Sequence, residues 1–175
     1  MKDSFFKYFF LSKKKLHSLN FAKAMPHEAI SVFDIFKVGV GPSSSHTVGP
    51  WRAAFRFIKT LQIKNLLQQT QSITVLLYGS LAKTGKGHGT DIAVLMGLCG
   101  EDPVTIDITC ISSKVEQIQS SKKLWLNNDK EIGVDVMFLI TEVLPFHPNG
   151  LSFLANCNND IQISETFYSV GGGFV

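Results

Sequence analysis

Apolar and polar positions follow recognisable periods along most of this chain. From Trp51 to Leu61 the apolar residues recur at spacings of three and four, which predicts an amphipathic helix. Pro50 suits the first turn of that helix, and the serine and threonine hydroxyls just upstream can cap it. Before this helix, Ile30 to Phe36 forms a short apolar element. The β-branched run from Ser72 to Tyr78 predicts a strand.

Further along, the pattern predicts a second helix and another strand. The apolar run from Ile92 to Leu98 is preceded by Thr90 and Asp91, either of which can cap a helix, and Gly100 ends it. The run from Val134 to Glu142 reads as a strand, although it also permits a short helix.

The last third of the chain predicts a β-hairpin. Leu151 to Ala155 and Ile161 to Tyr168 flank an asparagine-rich turn, whereas Pro103 to Glu131 is only weakly patterned. Helices mixed with hairpin-linked strands indicate an α+β fold and argue against an alternating, doubly wound sheet.

The first 24 residues differ from the rest. They are rich in Phe and Lys, and their longest apolar run, Tyr8 to Leu11, is too short for a signal peptide or a membrane span. The phenylalanines, together with Lys13 to Lys15, would permit contact with a membrane surface. The favoured interpretation is that residues 1–24 are a non-native or disordered extension and that the domain proper covers residues 25–175.

Composition excludes several classes of protein. A chain of 175 residues is about one domain, and 45% hydrophobic with 18% charged residues indicates a packed globule. A formal charge of +3 is too small to indicate a nucleic-acid surface. The three cysteines, Cys99, Cys110 and Cys157, form no CxxC pair. They therefore predict neither disulfides nor a zinc site, and they fit a reducing cytoplasm.

Two glycine-containing stretches resemble known catalytic or phosphate-binding motifs but lack residues or spacings that those motifs require. Between Gly79 and Gly85 lie five residues where a phosphate-binding loop requires four, and Gly87 stands where that loop needs Ser or Thr. Ser43 is followed by Ser44 and lacks the glycine of a nucleophile elbow. Nucleotide binding and triad hydrolysis are therefore not supported.

What remains is two loops that each present a histidine. His46 lies among hydroxyls next to a predicted helix N-terminus, where a carboxylate could bind, and His88 lies among glycines that leave room for a ligand. A histidine can act as a general base near neutral pH. Either histidine could instead be structural, and His147, in a proline-rich turn, could simply be exposed.

Three stretches carry a family resemblance. Residues 30–50 (ISVFDIFKVGVGPSSSHTVGP), 78–98 (YGSLAKTGKGHGTDIAVLMGL) and 168–175 (YSVGGGFV) resemble, in order, the signatures of iron–sulfur-dependent L-serine dehydratases, also called L-serine ammonia-lyases. The resemblance covers the chain from about residue 29 to its end and corresponds to the family's β chain, or N-terminal β domain. It implies a cytoplasmic bacterial lyase of amino-acid catabolism and gluconeogenesis that converts L-serine to pyruvate and ammonia.

The resemblance also implies a cofactor, partners and roles for residues. A 4Fe–4S cluster would be held by a partner α domain or chain that is absent here, so that no residue of this chain is expected to bind metal. The chain alone is therefore expected to be inactive. The resemblance implies that His88 and His46 are catalytic and that a further set of residues binds the substrate or another anion: Ser43, Ser44, Ser45, Thr47, Gly87, Gly89, Thr90, His147 and Asn149.

The same β domain is similar to a substrate-binding regulatory domain of some phosphoglycerate dehydrogenases. That similarity implies two helices packed on a mixed sheet of roughly four strands. It also leaves two alternatives open, a regulatory serine- or anion-binding module without chemistry of its own and an inactive fragment truncated before the α domain. The abundance of phenylalanine predicts an apolar face for the α domain or for a homodimer, formed by Phe33, Phe36, Phe146 and Phe153.

Overall fold

The computed structural model describes residues 43–175, and this part of the chain folds into a mixed β-sheet with packed helices. The sheet has five strands in the order β2-β3-β1-β4-β5. The central pair, β1 and β3, is parallel, and the other three neighbouring pairs are antiparallel. The strands are β1 (Thr70–Tyr78), β2 (Lys123–Leu126), β3 (Lys130–Leu139), β4 (Gly150–Cys157) and β5 (Gln162–Tyr168).

Four α-helices accompany the sheet in this part of the chain. The first packs against β4 and β5, the second contacts the central strands, and the third and fourth pack against β2. No helix among residues 43–175 has the length and apolar character needed to cross a membrane. The helices are α1 (Val48–Ile63), α2 (Gly79–His88), α3 (Thr90–Cys99) and α4 (Ile111–Ser121).

The core lies where alternate strand residues meet the helices. Ile73, Val75 and Leu77 of β1 are fully buried, whereas the intervening side chains of the strand are only half-buried or exposed. Phe57 of α1 stacks on Phe153 of β4, with ring centroids 5.0 Å apart. Alternation of this kind fits a sheet whose two faces lie in different surroundings.

The two tryptophans occupy opposite environments. Trp51 of α1 is fully buried, and its indole N–H donates to the carbonyl oxygen of Glu101 at 2.6 Å. Trp125 lies on the edge strand β2 and is 55% exposed.

Most elements predicted from the pattern are confirmed. The amphipathic helix, the first strand, the helix ended by Gly100 and the hairpin correspond to α1, β1, α3 and β4–β5, and the run after Val134 belongs to the strand β3. Gly100 adopts the left-handed conformation, with a φ of 83°, that commonly ends a helix. The α+β class and the mixed sheet are confirmed, with five strands and four helices where about four and two were expected.

Several local expectations were wrong. The glycine-rich stretch from Gly79 is a helix, because Leu81 and Ala82 bury one of its faces and outweigh the poor helix propensity of glycine. Helix α3 begins after Gly89, so Thr90 lies inside the helix and does not cap it. No side-chain hydroxyl caps α1. Phe153 is fully buried and thus unavailable to a partner.

The weakly patterned stretch was the least predictable, since it holds both α4 and β2. Only three residues of α4, Ile111, Val115 and Ile118, are buried. The predicted extension, the element at residues 30–36, and Phe33 and Phe36 lie outside the described residues, and the boundary at residue 25 stays a prediction.

Close packing of α1 on α3 depends on Gly97. A Cβ at this position would lie 2.7 Å from the carbonyl oxygen of Trp51 and 2.8 Å from the Cβ of Ala54. These distances are shorter than van der Waals contact, so any side chain there would push the helices apart.

We therefore expect Gly97→Ala to lower the free energy of unfolding by about 1–3 kcal/mol through overpacking. Gly87→Ala is the matched control, because nothing lies within 4 Å of a Cβ at that helical position. It should raise stability by about 0.5–1 kcal/mol through the lower entropy of the unfolded chain. Urea unfolding measures both changes. A Gly97→Ala protein as stable as the wild type would contradict the close approach.

Candidate functional site

His46 lies two residues before the start of α1, and its imidazole is bonded to hydroxyl groups. The side chain is 8% exposed. Nδ1 is 3.0 Å from Oγ of Ser45, and Nε2 is 3.1 Å from both Oγ of Ser80 and Oγ1 of Thr84. The Thr84 hydroxyl donates to the carbonyl oxygen of Ser80, so that Oγ1 can accept from Nε2–H. This arrangement favours the tautomer in which Nδ1 accepts a hydrogen bond from Ser45.

Two buried hydroxyls fix the backbone on either side of the imidazole. Thr90 donates to the carbonyl oxygen of His46 at 2.7 Å, and Ser169 donates to that of Ser45 at 2.6 Å. Both hydroxyl-bearing residues are fully buried. Gly49 makes the second contact possible, because a Cβ there would lie 2.0 Å from Oγ of Ser169. The position of His46 is thus set by α3 and by the chain after β5.

His88, the last residue of α2, lies beside His46. The ring centroids are 5.0 Å apart with an interplanar angle of 56°. Thr47 donates to the backbone oxygen of His88 at 3.4 Å. Nδ1 of His88 is buried and has no hydrogen-bond partner in the described part of the chain. A buried polar atom without a partner costs free energy, which makes this nitrogen a candidate for contact with a ligand.

The environment lowers the pKa of His46 below the usual 6.5 of histidine. Burial is the main cause, because it penalises the charged imidazolium, and the charge of nearby His88 acts in the same direction. A hydrogen bond with the backbone of Ser80 acts in the opposite direction and raises the pKa. His46 is therefore neutral at neutral pH, the state that a general base requires.

The segment between β3 and β4 supports the site from one side. The backbone carbonyl oxygen of Glu142 accepts a hydrogen bond at 2.8 Å from the N–H of Gly79, and that of Pro148 accepts one at 2.9 Å from the N–H of Ser80. Asn149 is buried and donates from Nδ2 to the carbonyl oxygen of Ser169 at 3.1 Å, while its backbone N–H donates to Nδ1 of His147. His147 and Asn149 therefore hold this segment and Ser169 in place.

The residues predicted from the sequence fall into two groups. His46 and His88 lie side by side, and Ser45, Thr47 and Thr90 bond to the histidines or to their backbone. The other candidates lie around this cluster. Ser43 bonds to Ser45, and Ser44 is exposed. Gly89 separates α2 from α3 with a φ of 69°, and Gly87 is exposed, with open space where a Cβ would lie.

Sequence reasoning missed three contributors to the site, Ser80, Thr84 and Ser169. Ser80 and Thr84 are four residues apart, a spacing that places two side chains on one face of a helix. That signal was hidden by interpreting the stretch as a loop. Nothing in the sequence singles out Ser169, which approaches Ser45 across 124 positions of the chain.

The donor set of residues 43–175 does not fit an iron–sulfur cluster. Within that range no group of three or more His, Cys, Asp or Glu residues could hold a metal. The thiols are separate, since Cys157 lies 3.6 Å from the Thr70 hydroxyl and Cys110 is exposed near Asp107. Burial raises the pKa of the Cys99 thiol to about 11.

The pKa of His46 can be measured by NMR titration of its imidazole in this chain. We expect a value below 6.5, and we expect His88→Asn to raise it, because the repulsion from a second imidazolium is removed. The folded chain binds the proton of His46 less tightly than the unfolded chain does. The free energy of unfolding should therefore be at its full value above pH 6.5 and should fall as the pH drops below 6.5. An unchanged pKa in His88→Asn would contradict electrostatic coupling of the pair.

The anchor at Ser169 can be tested by stability. Ser169→Ala leaves the buried carbonyl oxygen of Ser45 without its donor, and we expect a loss of about 1–3 kcal/mol. Ser164→Ala, at an exposed position of β5, should change stability by less than about 0.5 kcal/mol. Chemical denaturation compares the two, and equal stabilities would show that the Ser169 contact contributes little.

Comparison with known proteins shows the family to which the chain belongs. A family model described as the serine dehydratase beta chain matches residues 31–175. An L-serine dehydratase of Streptomyces coelicolor is 47% identical over 152 residues. L-serine dehydratase 2 of Escherichia coli is 46% identical over 150 residues, and an L-serine dehydratase of Helicobacter pylori is 43% identical over 151.

These alignments cover most of this chain but a minor part of each relative. They include 84%, 83% and 84% of the chain, and 33% of each of the three relatives. The chain thus spans about a third of the length of the proteins it matches. On the family model and on these identities, the chain belongs to the serine dehydratase beta chain family.

Proposed function

We propose that this chain is the β component of an iron–sulfur L-serine ammonia-lyase and contributes His46 and His88 to the serine pocket of a partner α domain. The observation that carries the proposal is the contact of the two imidazoles, 5.0 Å apart, with His46 held neutral by burial. The names of the relatives supply the substrate, L-serine. Their bacterial sources fit the expected place of the protein in the cytoplasm and in amino-acid catabolism.

The reaction needs a base and a departing hydroxyl. In this proposal a neutral imidazole of the pair takes the α-proton of serine, and the β-hydroxyl leaves with a proton as water. The product, 2-aminoacrylate, becomes an imine, and addition of one water then gives pyruvate and ammonia. The elimination releases one water molecule and the hydrolysis of the imine consumes one. The net reaction therefore converts serine to pyruvate and ammonia without net use of water.

The remaining site residues have roles that follow from their contacts. Ser43 and Ser44 are the hydroxyls least engaged with the histidines, and they lie near the N-terminus of α1, where a carboxylate is stabilised. Gly87 and Gly89 leave space beside His88 for a ligand. Three residues affect the substrate only indirectly, because they hold the histidines and Ser169 in position: Thr47, Thr90 and Asn149.

The cluster of the resembling family requires ligands from elsewhere. Because the cysteines of residues 43–175 lie apart and form no cluster of metal ligands, the proposal assigns the 4Fe–4S cluster to the partner α domain or chain. This assignment also accounts for the length of the relatives, of which this chain matches one third.

One observation favours a second candidate function. Both ring nitrogens of His46 are already bonded to hydroxyls of the same domain, and the side chain is 8% exposed. Such an enclosed imidazole also suits a regulatory module that binds serine or another anion without chemistry of its own. In that case the histidines would shape a binding site for an effector.

Histidine variants in the complete enzyme separate the two functions. We expect His46→Gln and His88→Gln to lower kcat by about 10²–10⁴-fold while the visible absorbance of the cluster stays intact. Ser164→Ala, on the exposed part of β5, is the control and should leave kcat unchanged. Loss of cooperativity alone, with kcat retained, would contradict the catalytic role and support the regulatory one.

A further expectation concerns the chain by itself. Supplied with iron and sulfide under anaerobic conditions, the purified 175-residue chain should show no serine deamination in a pyruvate assay. The physical reason is that its described cysteines offer no converging ligand set. Cluster-like absorbance or pyruvate formation from this chain alone would contradict the assignment of the cluster to a partner.

A further inference from the structure

Exposed apolar side chains follow the ends of two strands, β3 and β5, on segments that hydrogen-bond to the histidine site. Ten large hydrophobic side chains are exposed in the described part of the chain. Four of them form what we call the site rim, namely Ile140 (55% exposed), Val143 (57%), Phe146 (74%) and Val170 (54%). Most of the others are spread over distant elements, such as Ile63 at the end of α1, Val104 between α3 and α4, and Trp125 on β2.

The rim is attached to the histidine site through the backbone. Ile140 and Val143 flank Glu142, whose carbonyl oxygen accepts from the first residue of α2. The same segment continues to Pro148, which accepts from the N–H of Ser80, the residue that contacts His46. A change in the position of this segment would therefore move a hydrogen-bond partner of the imidazole.

The other side of the rim is attached in the same way. Phe146 contacts the ring of Tyr168 at the end of β5, with centroids 4.9 Å apart. Val170 directly follows Ser169, the residue that donates to the carbonyl oxygen of Ser45. Apolar side chains thus border the histidine site on the two segments that support it.

Single exposed apolar side chains are common on proteins, but a group of them beside a polar site marks a surface that another molecule covers. Burial of such a group would stabilise a contact, and it would also remove water from the neighbouring polar site. Both effects suit a site that is completed by a second domain.

We infer that the site rim is the docking surface for the catalytic remainder of the serine dehydratase, the part of the enzyme that this chain does not span. The inference rests on the proposed function. It commits to this occupant for two reasons: the rim is continuous with the histidines that the partner must reach, and the chain matches 33% of its relatives. The partner should present a complementary apolar surface with the serine site at its border.

A second copy of this chain is a poorer occupant. Symmetric pairing through the rim would place two histidine sites face to face and close both of them. A cluster-bearing partner could then not approach His46 or His88. The rim serves the proposed chemistry only if its occupant brings the missing part of the site.

Hydrogen exchange tests the docking surface without requiring the partner to be separable. Amide exchange is compared between this chain alone and the complete serine dehydratase. We expect the amides of Val143 and Phe146 to exchange at least tenfold more slowly in the complete enzyme, and the segments around Ile63 and Val104 to be unchanged. Equal exchange at the rim would overturn the inference. Protection already present in the chain alone would also overturn it, since a second copy or residues 1–42 would then cover the rim.

Substitutions give an independent test in the complete enzyme. Val143→Ser with Phe146→Ser should abolish the rim protection and lower turnover at least tenfold. The matched control, Ile63→Ser with Val104→Ser, removes the same kind of exposed apolar surface and should do neither. Circular dichroism and thermal melting of each variant chain show whether the fold is kept. Full protection and turnover in the rim variant, with the fold intact, would refute the docking surface.

The two proposals fail differently. If the histidine variants keep full turnover while the rim is protected, the catalytic function is wrong and the docking surface stands. If the histidine variants lose turnover while the rim exchanges freely, the histidines are catalytic and the docking partner binds elsewhere.

Discussion

The site depends on one constraint, the burial of an imidazole among groups that leave it uncharged. His46 is enclosed by hydroxyls from its own loop and from α2, and the carbonyl oxygens on both sides of its peptide are fixed by buried donors. Each contact comes from a different part of the chain. The sheet and helices bring these parts together, so the protonation state of one side chain depends on the whole fold.

The fold was predictable where the pattern of burial is strong. Helix α1 buries every third or fourth residue and strand β1 every second one. The hairpin has a polar turn between β4 and β5. Helix α4 and strand β2 have few buried residues each, so their periodicity was too weak to detect. The glycines of α2 concealed a helix because its stability comes from packing against the central strands, which local sequence does not reveal.

The sequence made both histidines candidates for the site, but it did not reveal the groups that hold them in place. Glycines and hydroxyls around His46 and His88 pointed to both residues, and the structure brings the two rings into contact. The roles of the neighbouring hydroxyls could not be read from the sequence. Thr90 was expected to cap a helix or bind a ligand, yet it bonds to the backbone of His46, which requires knowledge of how α3 packs on the loop before α1. Contacts between residues that are far apart in the sequence, such as this one, can be identified only when the tertiary structure is known.

The contrast between the two tryptophans gives the molecule built-in optical probes. Trp51 is the fully buried one, with its indole N–H bonded to a carbonyl oxygen, whereas Trp125 is more than half exposed on an edge strand. Fluorescence from an apolar interior lies at shorter wavelength than fluorescence from an indole in water, and a small quencher in solution reaches the latter first. Emission at the short-wavelength end therefore reports on α1 and the core, and quenchable emission reports on the outer strand. The order in which the two signals change on denaturation would show whether the sheet edge opens before the helix that follows His46.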